Sequence, residues 1–316
     1  MDLRPKKTMC VCPCQFRASL SIPQLGPLPN TEIEIRNRVV YIDPSTLTRS
    51  MIKPKKSLGQ NFLHDDNIAR NIVQSLALQS GDHLLEIGPG KGALTKFLIR
   101  KTPDFLAVEL DPRAVALLRE TFGDSLELLQ TDVLTVSLID LAEQRRARFK
   151  VVGNIPYYIT SEILFWLLDQ HEAVLEATLM VQLEVAQRFV AKPRTKEYGI
   201  LSIFSQHYTE PRLLFKVSRN SFYPVPKVDS AVVRLVFKRD LPDCDHLLFR
   251  NIVRATFGKR RKTLRNGLKF MGFTDDQLDS IGFDLTRRSE ELSPQDYVEL
   301  SDKLQQYKNH VTLPFS

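Results

Sequence analysis

From residue 65 onward the chain switches repeatedly between two hydrophobic periods. DDNIARNIVQSLAL (Asp65–Leu78) has apolar residues three and four apart, with carboxylates in its first turn where the helix dipole favours them, and predicts a helix. HLLEI (His83–Ile87) is a short, continuously apolar strand that runs into glycines. ALTKFLIR then reads as helix, FLAVEL (Phe105–Leu110) as strand, and PRAVALLRETF as a helix opened by Pro112, which is tolerated in a first turn. LELLQ, VVGN and ATLMVQL continue the strands, and SEILFWLLD and EVAQRFVA read as helices. Strands that are apolar on both faces and alternate with helices predict an α/β, Rossmann-like fold, with a mostly parallel sheet and helices on both faces. SAVVRLVF (Ser230–Phe237) is the last predicted strand. LPDCD (Leu241–Asp245) reads as a linker, and LLFRNIVRATF and SPQDYVELSDKL beyond it carry only helical periods.

The expected division is therefore an extension over 1–50, an α/β domain over 51–240 and a small all-α domain over 241–316. Residues 1–50 are rich in Pro and Cys, lack a sustained apolar period and carry no signal-peptide pattern. They read as an unstructured or spurious extension, with Met51 as the natural start. A transit peptide is the other reading, because Asp2 is the only acid in the first 30 residues. A cytoplasmic location is expected under the first reading and an organellar one under the second.

At 316 residues, 43% hydrophobic and 26% charged, the chain is excluded from the disordered, collagen-like and disulfide-built classes. No apolar run approaches the roughly 18 residues of a membrane span, so no membrane association is expected. Cys10, Cys12 and Cys14 form CVCPC, whose spacing is not that of zinc ligands; Cys244 stands apart, and no metal site is expected.

LLEIGPGKGALT (Leu84–Thr95) is strand, glycine turn and helix. Gly88, Gly90 and Gly92 allow a sharp turn and close approach to a ligand. Glu109 follows Gly88 by 21 residues, at the end of the next strand, where an acid can accept from ribose hydroxyls. Asp132, in QTDVL, ends a third strand at the same sheet edge. The GxGxG spacing departs from the dinucleotide pattern, and Glu86 sets a carboxylate where a pyrophosphate would lie. That arrangement suits a cationic ligand such as S-adenosylmethionine.

VVGNIPYYIT (Val151–Thr160) ends a buried strand at the same edge. Asn154 offers an amide oxygen. Pro156 has no N–H and a fixed φ, and it disfavours helix at Ile155, so the Ile155 carbonyl can point outward as a second acceptor. Tyr157 supplies a flat face. Two acceptors beside an aromatic plate suit a planar ring bearing an exocyclic amine, such as adenine. A rigid Pro turn with Tyr packed beneath it is the bland reading of the same residues.

NIPYY, together with LEIGPGKG, VELD and QTDVL, resembles the rRNA adenine N6-dimethyltransferases. KKSLGQNFL (Lys55–Leu63), EYGILS (Glu197–Ser202), FYPVPKVDSAVVRL (Phe222–Leu235) and FGKRRKTLRN (Phe257–Asn266) narrow the resemblance to the small-subunit enzymes, from about residue 53 to the C-terminus. The resemblance implies a class I methyltransferase sheet with a small helical C-terminal domain. It implies S-adenosylmethionine held by Asn61, Leu63, Gly88, Gly90, Glu109, Asp132 and Asn154. It further implies a substrate of two adjacent adenosines in a hairpin near the 3′ end of 16S rRNA, each dimethylated at N6, with the immature small subunit as partner; nothing in the sequence demands more than a monomer, and a monomer is expected. Asn154 and the Ile155 carbonyl would orient the amine; Tyr157, with Phe222, would stack on the base.

FRNIVRATFGKRRKTLRNGLKF (Phe249–Phe270) carries eight Lys/Arg and no acid. Beside a base-modifying site, Lys259, Arg260, Arg261, Lys262 and Arg265 read as phosphate contacts that position RNA without reading its sequence. Two further readings stay open: a large-subunit rRNA N6-methyltransferase, and an assembly or RNA-binding factor built on an inactive methyltransferase fold.

Overall fold

The computed structural model describes residues 52–55 and 59–310, and the backbone of two short paired strands, β1 (Glu32–Ile35) and β2 (Arg38–Tyr41). The rest of 1–50, including the CVCPC run, lies outside the described residues.

A two-residue strand, β3 (Phe62–Leu63), leads into helix α1 (Asp66–Ser75), which is capped by Asp65 accepting from the Asn67 and Ile68 amides. The main sheet then accumulates as β4 (His83–Ile87), β5 (Phe105–Glu109), β6 (Glu127–Gln130), β7 (Phe149–Asn154) and β8 (Val174–Gln182). Between these strands lie α2 (Thr95–Leu98), α3 (Pro112–Phe122), α4 (Leu138–Arg145) and α5 (Thr160–Asp169). After β8 come α6 (Leu183–Phe189), α7 (Ile200–Tyr208), β9 (Thr209–Val217), the short β10 (Phe222–Tyr223) and β11 (Ser230–Phe237). The seven-stranded order is β6-β5-β4-β7-β8-β11-β9. The first five strands run parallel, and β11 lies antiparallel to both β8 and β9.

The sequence pattern did not reveal β9. TEPRLLFKV is only partly buried and holds Pro211, and both features suit an edge strand, where a missing N–H is tolerated. β11 lies between two strands, which explains its near-continuous apolar run. ALTKFLIR was expected to be helical, yet only Thr95–Leu98 forms an α-helix, between turns. No long helix dipole therefore follows the glycine turn.

Strand alternation sends Leu84, Val152 and Met180 to one face, under α1 and α3, and Leu85, Val151 and Leu179 to the other. The second face continues without a break into the C-terminal helices α8 (His246–Phe257), α9 (Leu264–Phe270), α10 (Asp275–Ser280) and α11 (Pro294–Leu304). Phe204 of α7 meets Phe249 of α8 edge-on at 5.8 Å, and the Tyr198 hydroxyl donates to the Leu292 carbonyl at 2.8 Å. Residue 241 thus marks a change of secondary structure within one shared core.

Gly267 of α9 allows the closest approach in this region, since a Cβ there would lie 2.8 Å from Thr256 Cα of α8. Gly267→Ala is expected to force the two helices apart and to destabilise the protein by about 1–3 kcal/mol, read from chemical denaturation.

Candidate active site

β4 and β7 are neighbours at the point where the chain, having built outward through β5 and β6, returns to the other side of the sheet. A crevice opens at the carboxyl ends of strands at such a reversal. Here it is an open cleft with about 1060 Å³ of empty space, walled by residues from 59–63, the β4 and β5 ends, the segment after β6, and 154–159. Asn61, Leu63, Glu86, Gly88, Gly90, Glu109, Asp132, Asn154, Ile155, Pro156 and Tyr157 all line it.

The glycine turn is pinned from within. Gly88 N–H donates to the Val108 carbonyl at 2.9 Å, Gly90 N–H to Glu109 Oε2 at 2.9 Å, and Gly92 N–H to the Pro89 carbonyl at 2.8 Å. With these donors engaged and no long helix behind them, the turn is not a phosphate cradle, which disfavours a pyrophosphate-bearing cofactor. Gly90 has φ +58°, and a Cβ there would come within 3.2 Å of the Phe62 ring, so the turn and the preceding segment meet with no room for a side chain.

Two acids stand behind this turn. Glu109 is buried and accepts from Gly90 N–H and, through Oε1, from Asp111 N–H at 2.8 Å. Burial raises its pKa against those amide donors. It therefore braces the glycine turn as well as facing the cleft. Glu86 is also buried and accepts from the Thr95 hydroxyl at 2.7 Å. Burial, aided by the charge of Glu109 and opposed by Thr95, pushes its pKa up to about 8. The fixed negative charge expected at Glu86 is thus conditional, because the carboxyl keeps its proton at neutral pH unless a cation arrives beside it. Asp132 lines the cleft and accepts from the Leu134 amide through Oδ1 at 3.0 Å.

At the end of β7, Asn154 Nδ2 donates to the Asn61 carbonyl at 3.0 Å. That carbonyl can only accept, so the bond fixes which end of the amide is which and leaves Oδ1 as the free acceptor. Ile155 N–H donates to the Met180 carbonyl at 3.1 Å, and among the described residues nothing donates to the Ile155 carbonyl. Pro156 follows with φ −56° and ψ 132°, an extended conformation that ends the strand cleanly. The Tyr157 hydroxyl is 2.7 Å from Ser230 Oγ, which anchors the ring to the start of β11.

Phe222 does not sit where the sequence reading put it. It is 1% exposed, packed in the core beneath α1 and paired with Leu63 across the β3–β10 bridge. Because adjacent strand residues face opposite ways, the exposed ring is that of Tyr223, at 63%. The basic segment also divides. Lys259, Arg261 and Lys262 are exposed, whereas Arg260 pairs with Glu290 at 2.6 Å and Arg265 is clamped between Asp275 and Asp279. None of these five residues lines the cleft.

Several cleft residues escaped the sequence reading. Lys91 lies 4.7 Å from the Phe62 ring, and Leu110 is half exposed at the mouth. Tyr158 is 55% exposed and leans on Gly59, where a Cβ would meet its ring at 2.7 Å. The double Tyr of NIPYY was a signal for it, but spacing alone does not say which ring faces out.

The sequence pattern of the family described as ribosomal RNA adenine dimethylase matches residues 51–306. The chain belongs to that family. Ribosomal RNA small subunit methyltransferase A of Chlorobium phaeobacteroides (strain BS1) is 47% identical over 253 residues, covering 80% of this chain and 94% of the relative. The protein of the same name from Prosthecochloris aestuarii is 51% identical over 219 residues, covering 69% and 82%. The crystal structure of a dimethyladenosine transferase from Plasmodium falciparum has the same fold, with a TM-score of 0.68 at 24% identity, covering 79% of this chain and 99% of that one. The 23S rRNA methyltransferase ErmE gives a TM-score of 0.58 at 29% identity, covering 78% and 100%. For this adenine dimethylase, the buried Glu86 carries a pH signature. The unfolded chain releases the Glu86 proton near the ordinary value of 4.5, the folded chain near 8, so stability falls as pH rises between them. Glu86→Gln is expected to flatten this slope in the unliganded protein and to gain on the order of a few kcal/mol over wild type above pH 8, measured by denaturant melts across pH.

Proposed function

We propose that this protein transfers methyl groups from S-adenosylmethionine to N6 of two adjacent adenosines in a hairpin near the 3′ end of small-subunit (16S) rRNA, giving N6-dimethyladenosine. The observation that carries this reading is the bond from Asn154 Nδ2 to the Asn61 carbonyl, which leaves Asn154 Oδ1 free next to the unengaged Ile155 carbonyl. Two neighbouring acceptors match the two hydrogens of an adenine amine.

The cleft fits S-adenosylmethionine on its own chemistry. The glycine turn has no Cβ to obstruct a ligand and no free phosphate-binding nest, Glu109 and Asp132 offer carboxylate oxygens, and Leu110 and Val133 supply apolar walls. When bound there, the cofactor supplies a methyl group already activated on a sulfonium. Glu109 would accept from ribose hydroxyls, Asp132 from an adenine amine, and Glu86, ionised by an adjacent ammonium, would hold the cationic end. Asn61 and Leu63 would close the cavity from the opposite side.

The protein's task in the transfer is alignment. Asn154 Oδ1 and the Ile155 carbonyl take the amine hydrogens, direct the nitrogen lone pair and stabilise positive charge as it grows on nitrogen. Neither oxygen is basic enough to remove the proton before transfer, so the amine attacks neutral. Tyr157, held by Ser230, and the exposed Tyr158 offer aromatic faces for an adenine extruded from its stack. Lys259, Arg261 and Lys262 would hold phosphates, while Arg260 and Arg265 act within the protein.

The small-subunit assignment is supported by relatives at 47–51% identity, against 29% for the large-subunit enzyme. The immature particle as substrate, action as a monomer and a cytoplasmic setting complete the reading. Among the described residues no helix is long and apolar enough to cross a membrane.

Labelled methyl groups are expected on immature small subunits and not on large ones. Asn154→Ala is expected to lower the transfer rate by about 100-fold or more with RNA binding retained. Equal labelling of both subunits would point to the other rRNA class, and near-normal transfer by Asn154→Ala would remove the acceptor pair. RNA affinity is expected to fall steeply with salt, and replacing Lys259, Arg261 and Lys262 with Ala to flatten that slope by roughly 0.7–0.9 for each phosphate no longer neutralised. Arg260→Ala should change thermal stability more than the slope.

A further inference from the structure

Where α7 ends, the linker after β11 passes close by. His207 is the penultimate residue of α7, and Cys244 and His246 flank Asp245, the N-cap of α8. Their potential ligand atoms all lie within 4.8 Å of one another. His207 is 2% exposed, and its Nε2 is buried without a hydrogen-bond partner. A buried polar nitrogen left unpaired is uncommon and calls for an explanation. The ring is well fixed, stacked on Phe249 at 4.3 Å and edge-on to Tyr208 at 4.8 Å. His246 Nδ1 is 4.0 Å from Cys244 Sγ and 3.5 Å from the Tyr208 hydroxyl.

We propose that His207, Cys244 and His246 bind a zinc ion that fastens the linker and the start of α8 to the end of α7. Two imidazoles and a thiolate form a borderline-soft donor set, suited to zinc and unsuited to calcium or magnesium, which take oxygen ligands. Zn–N and Zn–S bonds of about 2.0–2.3 Å draw tetrahedral donors to within roughly 3.3–3.6 Å of each other. The trio is therefore up to about an ångström more open than a bound ion requires, so binding draws the three side chains together. Three protein ligands leave a fourth position for water.

The charges around the trio are mixed, with Asp243, Asp245 and Asp302 near Cys244 and Lys238, Arg250 and His171 near His207. A neutral imidazole keeps a lone pair on one ring nitrogen, and the buried, unpaired Nε2 of His207 is placed to present it. Burial and the nearby Asp302, Asp245 and Asp243 push the Cys244 thiol up to about 11; on binding, Cys244 passes its proton to solvent as the S–Zn bond forms. Lys238 is bonded to the Gln206 and His207 carbonyls, and Arg250 is paired with Asp169. None of the three ligands lines the cofactor cleft, so the ion has a structural role. Linear spacing hides this site, since Cys244 has no cysteine partner and His207 lies far from it in the chain.

The test uses the full chain, reduced and stripped by a chelator, then titrated with Co²⁺ as a spectroscopic stand-in. One equivalent is expected to produce a thiolate-to-cobalt charge-transfer band and tetrahedral d–d bands, both abolished by Zn²⁺. Cys244→Ser is expected to lose the charge-transfer band, whereas the triple Cys10→Ser, Cys12→Ser, Cys14→Ser variant keeps it. A wild type without the band, or a band that survives Cys244→Ser, overturns the proposal. Should Cys244→Ser not fold, X-ray absorption on the zinc-loaded wild type decides. One sulfur and two imidazole nitrogens around zinc support the site; several sulfurs, or oxygens only, overturn it.

Discussion

One hydrogen bond, from the Asn154 side chain to the Asn61 carbonyl, spans 93 residues and joins the two halves of the cleft. It ties the segment 59–63 to the sheet edge and fixes which end of the Asn154 amide is which. Without it the Asn154 side chain could flip and exchange its unengaged acceptor for a donor. The β4–β7 reversal supplies the crevice, and Glu109 supplies the stiffness of the glycine turn. Only this bond sets the polarity of the chemical loop against the cofactor wall.

The electrostatics of the cleft are responsive. Burial raises both Glu86 and Glu109, and Glu86 keeps its proton at neutral pH in the empty site. A cation entering there favours ionisation of Glu86, while a pyrophosphate would meet acids and engaged amides. The groups that brace the turn are thus the same ones that set the charge of the cleft.

The strand-end acids, the glycine turn and the NIPYY loop were legible because each combines a strand period with residues that a strand end rarely tolerates otherwise. The α/β class was legible for the same reason, and the relatives and fold bear it out. β9 was not, because an edge strand has neither a continuous apolar run nor a clean alternation, and Pro211 argued against it. The assignment of Phe222 failed on a parity of one residue, since the pattern FY does not say which ring the β3–β10 bridge turns inward. Arg260 and Arg265 looked free because their partners, Glu290, Asp275 and Asp279, lie outside the basic run.

The β3–β10 bridge bears on how the protein is made. The cleft wall at 59–63 is held down by Phe222 and Tyr223, with His64 N–H donating to the Ser221 carbonyl at 3.0 Å. A nascent chain can therefore carry the early strands before this clamp exists. The wall at 59–63 thus gains its anchors in two stages, the Asn154 bond once β7 exists and the β3–β10 bridge only after the region near residue 222 has been translated.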